Sequence, residues 1–236
     1  MGRKCGTEPH RLLTIWSSIW DSIAKKVATA KKMHKLSQPH SEVSEILQYI
    51  HSGSALDLGC GRGRNSVFLR RHGFTVTSVD KSAASLAVLQ ETIAEEAEYS
   101  DIRASIYDAE KAAIENDYDL IVCTVVLQFL QADSVREVVR NMQRQTKFGG
   151  INLVVAPIST VEHPCPIEFP FTLEEGQLRD WYADWELCKY NENFGEFHRN
   201  DENGNRLRAK FATLVARKCD DPSCDRLPKK PAGNRP

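Results

Sequence analysis

A chain of 236 residues with 41% hydrophobic and 27% charged side chains sits near the upper size for one hydrophobic core, which favours a single α/β domain with short appendages over two cramped domains. The formal net charge of -1 provides no global attraction to nucleic acid, and the seven cysteines include no C-x-x-C pair suited to zinc or redox chemistry, so no metal is expected. No apolar run approaches the roughly 20 residues of a bilayer span. Ser17, Ser18 and Asp21 interrupt the apolar stretch a signal peptide needs, so a reducing, cytoplasmic setting is expected.

Residues 1–39 form a locally basic extension in which Leu12, Trp16, Ile19, Ile23 and Val27 recur at helical spacing beside a lysine face. A helix packed on the domain, with solvated lysines, is the plainer reading; a membrane-surface or targeting helix is the alternative. From Ser54 to Ala156, apolar runs alternate with helical patterns, as in a parallel sheet built from βαβ units. The expected strands are Ala55–Leu58, Phe74–Val79, Ile102–Tyr107, Tyr118–Thr124 and Ile151–Ala156. Tyr118–Thr124, apolar on both parities, belongs in the middle of the sheet.

Gly73 is placed to end the first helix and Ser82 to cap the second, while Ser134 with Glu137 forms a capping box for the third and Thr172 with Glu175 repeats it. Trp185–Phe197 and Arg206–Val215 flank a turn at Asp201–Asn205 and read as an antiparallel hairpin at the sheet edge, with Leu207, Ala209, Phe211, Thr213 and Val215 alternating with polar residues. Residues 219–236 have nothing to bury and are expected to be disordered. The folded domain is therefore expected over residues 40–218.

The segment Ala55-Leu-Asp-Leu-Gly-Cys-Gly-Arg-Gly-Arg-Asn65 is a strand running into a glycine turn and a helix, a place where side chains would block a ligand's approach to the backbone. Gly59 and Gly61 match the first two glycines of the dinucleotide fingerprint, but its third position is Arg64, which weakens a pyrophosphate cofactor. Asp57, before the turn, would repel phosphate yet suits the ammonium of a methionyl group; holding the loop is its structural alternative. Asp80 ends the second strand 21 positions after Gly59, where an acid accepts from ribose hydroxyls, and Asp108 ends the third, where a carboxylate can meet the adenine amino group. The Asp80 spacing is shared by NAD and S-adenosylmethionine proteins, and Asp108 taken alone reads better as a cap; three acids at successive strand ends plus the glycine loop form a far more specific combination, in which Arg64 weighs against a nicotinamide cofactor and for S-adenosylmethionine.

After the fourth strand stands Thr124-Val-Val-Leu-Gln-Phe-Leu130 rather than the Pro-Pro motif that holds an exocyclic base amine, so base methylation is not indicated. The hairpin brings His198, Arg199 and Arg206 near one another, and guanidinium forks with a histidine suit a small oxyanion; an edge strand with solvated charges is the alternative. In His163–Phe171, Phe169 and Phe171 can exclude water from such a site, and Cys165 reads as a small filler rather than a nucleophile.

Over roughly residues 40–218 the chain resembles the TehB-type tellurite methyltransferases. The resemblance rests on His40-Ser-Glu-Val43, Leu56-Asp-Leu-Gly-Cys-Gly-Arg-Gly-Arg-Asn-Ser66, Thr124–Leu130, Asn141-Met-Gln-Arg144, Pro164-Cys165, Phe169-Pro-Phe171, His198-Arg199, Asp201, Asn203-Gly-Asn-Arg206 and Phe211-Ala-Thr213. It implies a Rossmann-like α/β sheet of about seven strands, mostly parallel with a C-terminal antiparallel hairpin. It also implies S-adenosylmethionine-dependent methylation of tellurite, with selenium oxyanions as related substrates, and a part in tellurite resistance. On that likeness Gly59, Asp80, Asp108 and Thr124 line the cofactor site, to which the loop adds Asp57, Leu58 and Gly61, and His198, Arg199 and Arg206 bind or activate substrate. A methyltransferase for another small nucleophile and a cofactor-binding module without catalysis are the competing functions. No nucleic-acid partner is expected, a membrane only through the N-terminal helix, and the oligomeric state stays open, a homodimer included.

Overall fold

The computed structural model describes residues 36–95 and 97–219; the expected N-terminal helix, and the expected disordered tail beyond Cys219, lie outside them. Seven strands form one sheet in the order β3-β2-β1-β4-β5-β7-β6. They are β1 (Gly53–Leu58), β2 (Phe74–Asp80), β3 (Ile102–Ile106), β4 (Tyr118–Thr124), β5 (Thr146–Ile158), β6 (Glu186–Asn200) and β7 (Arg206–Arg217). β1 to β5 are parallel, and β7 pairs antiparallel with both β5 and β6. This is the Rossmann-like sheet, mostly parallel with a C-terminal antiparallel hairpin, that the family resemblance implies.

The helices are α1 (Ser41–Glu45), α2 (Arg64–Arg71), α3 (Ala83–Glu95), α4 (Ala132–Arg144) and α5 (Gln177–Trp181). One face of the sheet is covered through Val43, Val67, Leu69, Leu86 and Leu89 of the first three helices; the other is covered through Val135, Val138, Met142 and Leu178 of the last two. β4 lies centrally, and Leu120, Ile121, Val122 and Cys123 are fully buried, as its unbroken apolar run demands. Among the described residues, no helix is long and apolar enough to cross a membrane.

Ser82 caps α3 as expected, its hydroxyl accepting from the Ser85 amide at 3.2 Å, and Gly73 follows the end of α2 with its amide on the Arg70 carbonyl. The two capping boxes do not form. α4 begins earlier, at Ala132, because the Glu110 carboxylate accepts from the Gln131 amide at 3.1 Å and fixes the entry; Glu137 is spent on Arg140 and Arg144. Thr172 cannot open a helix because its neighbour Leu173 is held extended, bridged to Ile158 and bonded to Pro157 and Ser159, so α5 starts only after Gly176.

The hairpin forms around Asp201, whose Oδ1 accepts from the Asn203 and Asn205 amides at 2.9 and 2.8 Å. The alternation expected for its second strand gives way to continuous burial from Ala212 to Ala216, because β7 lies between two strands and β6 takes the edge.

Candidate functional site

The order of the sheet reverses direction between β1 and β4, and the crevice outside the carboxyl ends of strands at such a point is where open α/β sheets bind ligands. Here the loop after β1 is sewn to β2: the Gly59 and Cys60 amides donate to the Val79 carbonyl at 2.8 and 3.0 Å, and the Gly61 amide donates to Asp80 Oδ2 at 2.8 Å. Two glycines are fixed by packing. At Gly59, with φ of 72°, a Cβ would lie 2.4 Å from Cγ2 of Val126; at Gly63, with φ of 86°, one would lie 2.3 Å from Leu89. The packing role expected of a third fingerprint glycine therefore falls to Gly63, and Arg64 becomes the first residue of α2. A Cβ on Gly61 would meet nothing within 4 Å, so the loop opens outward there.

The three acids have different surroundings. Asp57 is 1% exposed beneath the loop and accepts a 2.6 Å hydrogen bond from the Ser66 hydroxyl. Burial pushes its carboxyl up to about 6, against the opposing pull of the Ser66 bonds and of Arg64. Asp80 is half-buried and reaches across the loop, with Oδ1 accepting from the Ser82 amide at 2.8 Å. Asp108 caps the short helical turn Ala109–Lys111, accepting from the Glu110 amide at 3.2 Å, which is the plainer of its two expected roles. The Leu58 side chain lies in the core, so only its backbone can meet a ligand.

At the end of β4, Thr124 accepts from Asn65 Nδ2 at 3.2 Å. The next residue, Val125, has φ of 60°, a left-handed conformation that costs a β-branched residue about 1–3 kcal/mol. It is held by its amide on the Val155 carbonyl at 2.7 Å and by Gln128 Nε2 donating to its carbonyl at 3.0 Å.

Beside this turn lies a cavity of about 520 Å³ lined by residues of the α1 entry, the α2 start and the ends of β4 to β7, among them His40, Arg64, Val125, Phe197 and His198. Arg206 enters it indirectly: its Nη1 donates to His198 Nδ1 at 2.8 Å and to the Phe197 carbonyl at 3.2 Å. A guanidinium can only donate, so Nδ1 accepts and the His198 proton sits on Nε2. Arg199 is exposed and is not part of the lining; it lies where the β6–β7 register shifts between Glu196 and Asn200, so the structure brings together His198 and Arg206 but not the third member of the expected set.

Phe169 packs on Phe129 and Phe197, and Phe197 on Phe211, giving a row of rings 5.0–5.7 Å apart, of which Phe197 and Phe211 line the cavity. Phe171 belongs elsewhere, stacked on Trp181 in the opposite core. Burial pushes the Cys165 thiol up, consistent with a filler.

Sequence reasoning did not single out His40, Asn65 or Lys189. The His40 amide donates to Asn65 Oδ1 at 2.9 Å, and Lys189 of β6 bridges Glu42 and Glu45 of α1 at 2.5 and 2.8 Å. The first two lay inside quoted motifs; the lysine pairs with partners more than 140 positions away, which no local pattern displays.

Residues 23–215 match the family described as tellurite resistance protein TehB. The chain is 45% identical over 194 residues to the "Probable S-adenosyl-L-methionine-dependent methyltransferase TehB" of Haemophilus influenzae, covering 82% of this chain and 67% of that protein. It is 42% identical over 187 residues to "Hemagglutinin 1" of Eikenella corrodens, covering 79% and 62% respectively. The crystal structure of TehB from Haemophilus influenzae superposes with a TM-score of 0.76 at 45% identity, covering 79% of this chain and 65% of that one. The chain thus spans about two thirds of the length of these relatives.

Proposed function

The chain belongs to the TehB family, and from that premise and the geometry of the cavity we propose that it is an S-adenosylmethionine-dependent methyltransferase acting on tellurite, and on related selenium oxyanions. The observation that carries the reading is the Arg206–His198 pair, set at a cavity that starts where the glycine loop and β4 end.

The residues at the loop fit the cofactor. Gly61 opens outward beside the Asp80 carboxylate, and two acids near the turn suit a cationic methionyl group better than a phosphate. Backbone at Leu58, Gly59 and Gly61 would border it, Asp80 would accept from its ribose hydroxyls, and Asp108 and Thr124 would meet its adenine and methionyl ends. Asp57, buried beneath the loop, would act on it through the field rather than by contact.

When bound, S-adenosylmethionine would supply an electrophilic methyl group to a tellurium(IV) lone pair, the carbon–sulfur bonding pair staying on sulfur and the dianion becoming a methylated monoanion. No strong protein base is needed for that step. The work of the chain is positioning: Arg206 and the Nε2–H of His198 orient oxygens, Arg64 adds positive charge, and the phenylalanine row keeps the site dry. Arg199 is given no contact.

A methyl-transfer panel with tellurite, selenite and a small thiol tests this. Tellurite-dependent formation of S-adenosylhomocysteine is expected. Turnover of the thiol alone, or cofactor binding with no turnover, would overturn the substrate assignment.

A further inference from the structure

His40 caps α1 in an unusual way. Ser, Thr, Asp and Asn are the side chains that cap helices well, whereas here the imidazole does it, Nδ1 accepting from the Glu42 amide at a long 3.3 Å. A better cap would be available if capping were the whole task.

The geometry fixes the ring's protonation. A backbone N–H aimed at Nδ1 requires a lone pair there, so the proton of the neutral ring is on Nε2. Protonating both nitrogens would set Nδ1–H against Glu42 N–H. Burial holds the ring down at about 4, with the Arg64 guanidinium acting in the same direction. Of the other charged groups at the cavity, Glu42 is committed to Lys189, and Glu196 lies on β6.

The ring is also pre-positioned. The His40 amide is tied to Asn65 Oδ1, and Asn65 Nδ2 is tied to Thr124, so the residue is anchored to the start of α2 and the end of β4 together. The imidazole lines the cavity, and Nε2 has no hydrogen-bond partner among the described residues.

We propose that His40 is a substrate-binding residue whose Nε2–H is a neutral hydrogen-bond donor to the oxyanion, acting with the His198–Arg206 pair. The inference rests on the oxyanion reading above and adds to it a reason for neutrality. Arg64 already brings a fixed positive charge to this cavity, and a neutral donor beside it orients an oxygen without setting a second cation against the guanidinium.

The test is calorimetric titration of tellurite into the full-length protein saturated with S-adenosylhomocysteine, wild type against His40→Asn. The asparagine retains a good N-cap, so folding is preserved, and melting temperature and cofactor affinity serve as controls. We expect tellurite binding to weaken roughly 10- to 100-fold, the usual size of one hydrogen bond to a charged group, with both controls unchanged. Ring-nitrogen NMR of the wild type should show Nδ1 unprotonated from pH 5 to 8 and the Nε2 resonance moving on tellurite addition. Unchanged tellurite affinity in the variant, or an Nε2 resonance that ignores bound tellurite, would overturn the role of His40 alone. Absence of tellurite binding to the wild type would overturn the oxyanion reading and the proposal with it.

Discussion

Replacing Asp57 by Asn should make the protein more stable, and by an amount that depends on pH. The carboxyl is pushed from 3.8 to about 6, first by burial, with Asp80 adding to the effect and Ser66 and Arg64 opposing it. Its folded-state value is raised, so the native chain retains a proton that the unfolded chain releases between about pH 4 and pH 6, and stability falls as pH rises through that window. Above about pH 6 both states are ionised and the whole cost is present. At about 1.4 kcal/mol per pH unit, the gap between 3.8 and about 6 amounts to about 3 kcal/mol. Asp57→Asn keeps an oxygen to accept from the Ser66 hydroxyl and has nothing to ionise. Urea unfolding of both proteins at pH 4, 6 and 8 should show no difference at pH 4 and a variant about 3 kcal/mol more stable at pH 8. A variant no more stable than wild type at pH 8, or an equal gain at every pH, would refute the reasoning. A penalty of this size fits a carboxylate kept for the loop's ligand, so the same variant should lose affinity for S-adenosylmethionine while it gains stability.

Gly59→Ala should destabilise by about 2–5 kcal/mol, combining a left-handed alanine with a Cβ forced 2.4 Å from Val126, and should abolish cofactor binding; thermal unfolding and calorimetry read the two effects. Arg206→Ala removes the donor to His198 Nδ1 and should raise the tellurite KM at least about tenfold with cofactor affinity unchanged. Equal loss of both affinities would place Arg206 in the cofactor site instead. Lys189→Ala leaves Glu42 and Glu45 unpaired beside the cavity; it should cost about 1 kcal/mol of stability and raise the KM for an anionic substrate more at low salt than at high salt, measured across an ionic-strength series.

The parts of the fold legible in the sequence are those with local causes. β4 shows as an unbroken apolar run because it is covered on both faces, and the glycine loop shows because its packing excludes side chains at fixed positions. The hairpin shows because Asp201 and Gly204 suit the turn. What stayed hidden was set by distant partners. Ser134 and Glu137 have the spacing of a capping box, but Glu110, 21 positions before the Gln131 amide it accepts from, fixes the entry to α4. Asp57 reads as a ligand contact in the motif, yet the turn carries the chain over it and α2 seals it with Ser66. Of the substrate candidates, His198 and Arg206 meet through hairpin register, while Arg199, one residue along an irregular stretch of β6, is left outside. His40 was visible as part of a motif, but its use as a neutral donor depends on Glu42, Asn65 and Arg64 meeting it in space.

The most direct measurement is calorimetric titration of the full-length protein with S-adenosylmethionine, comparing wild type, Asp80→Ala and His198→Ala. One site per chain in the wild type, lost or greatly weakened in Asp80→Ala and kept in His198→Ala, is the predicted result. No binding to the wild type, or binding indifferent to Asp80, would contradict the placement of the cofactor at the glycine loop on which the account rests.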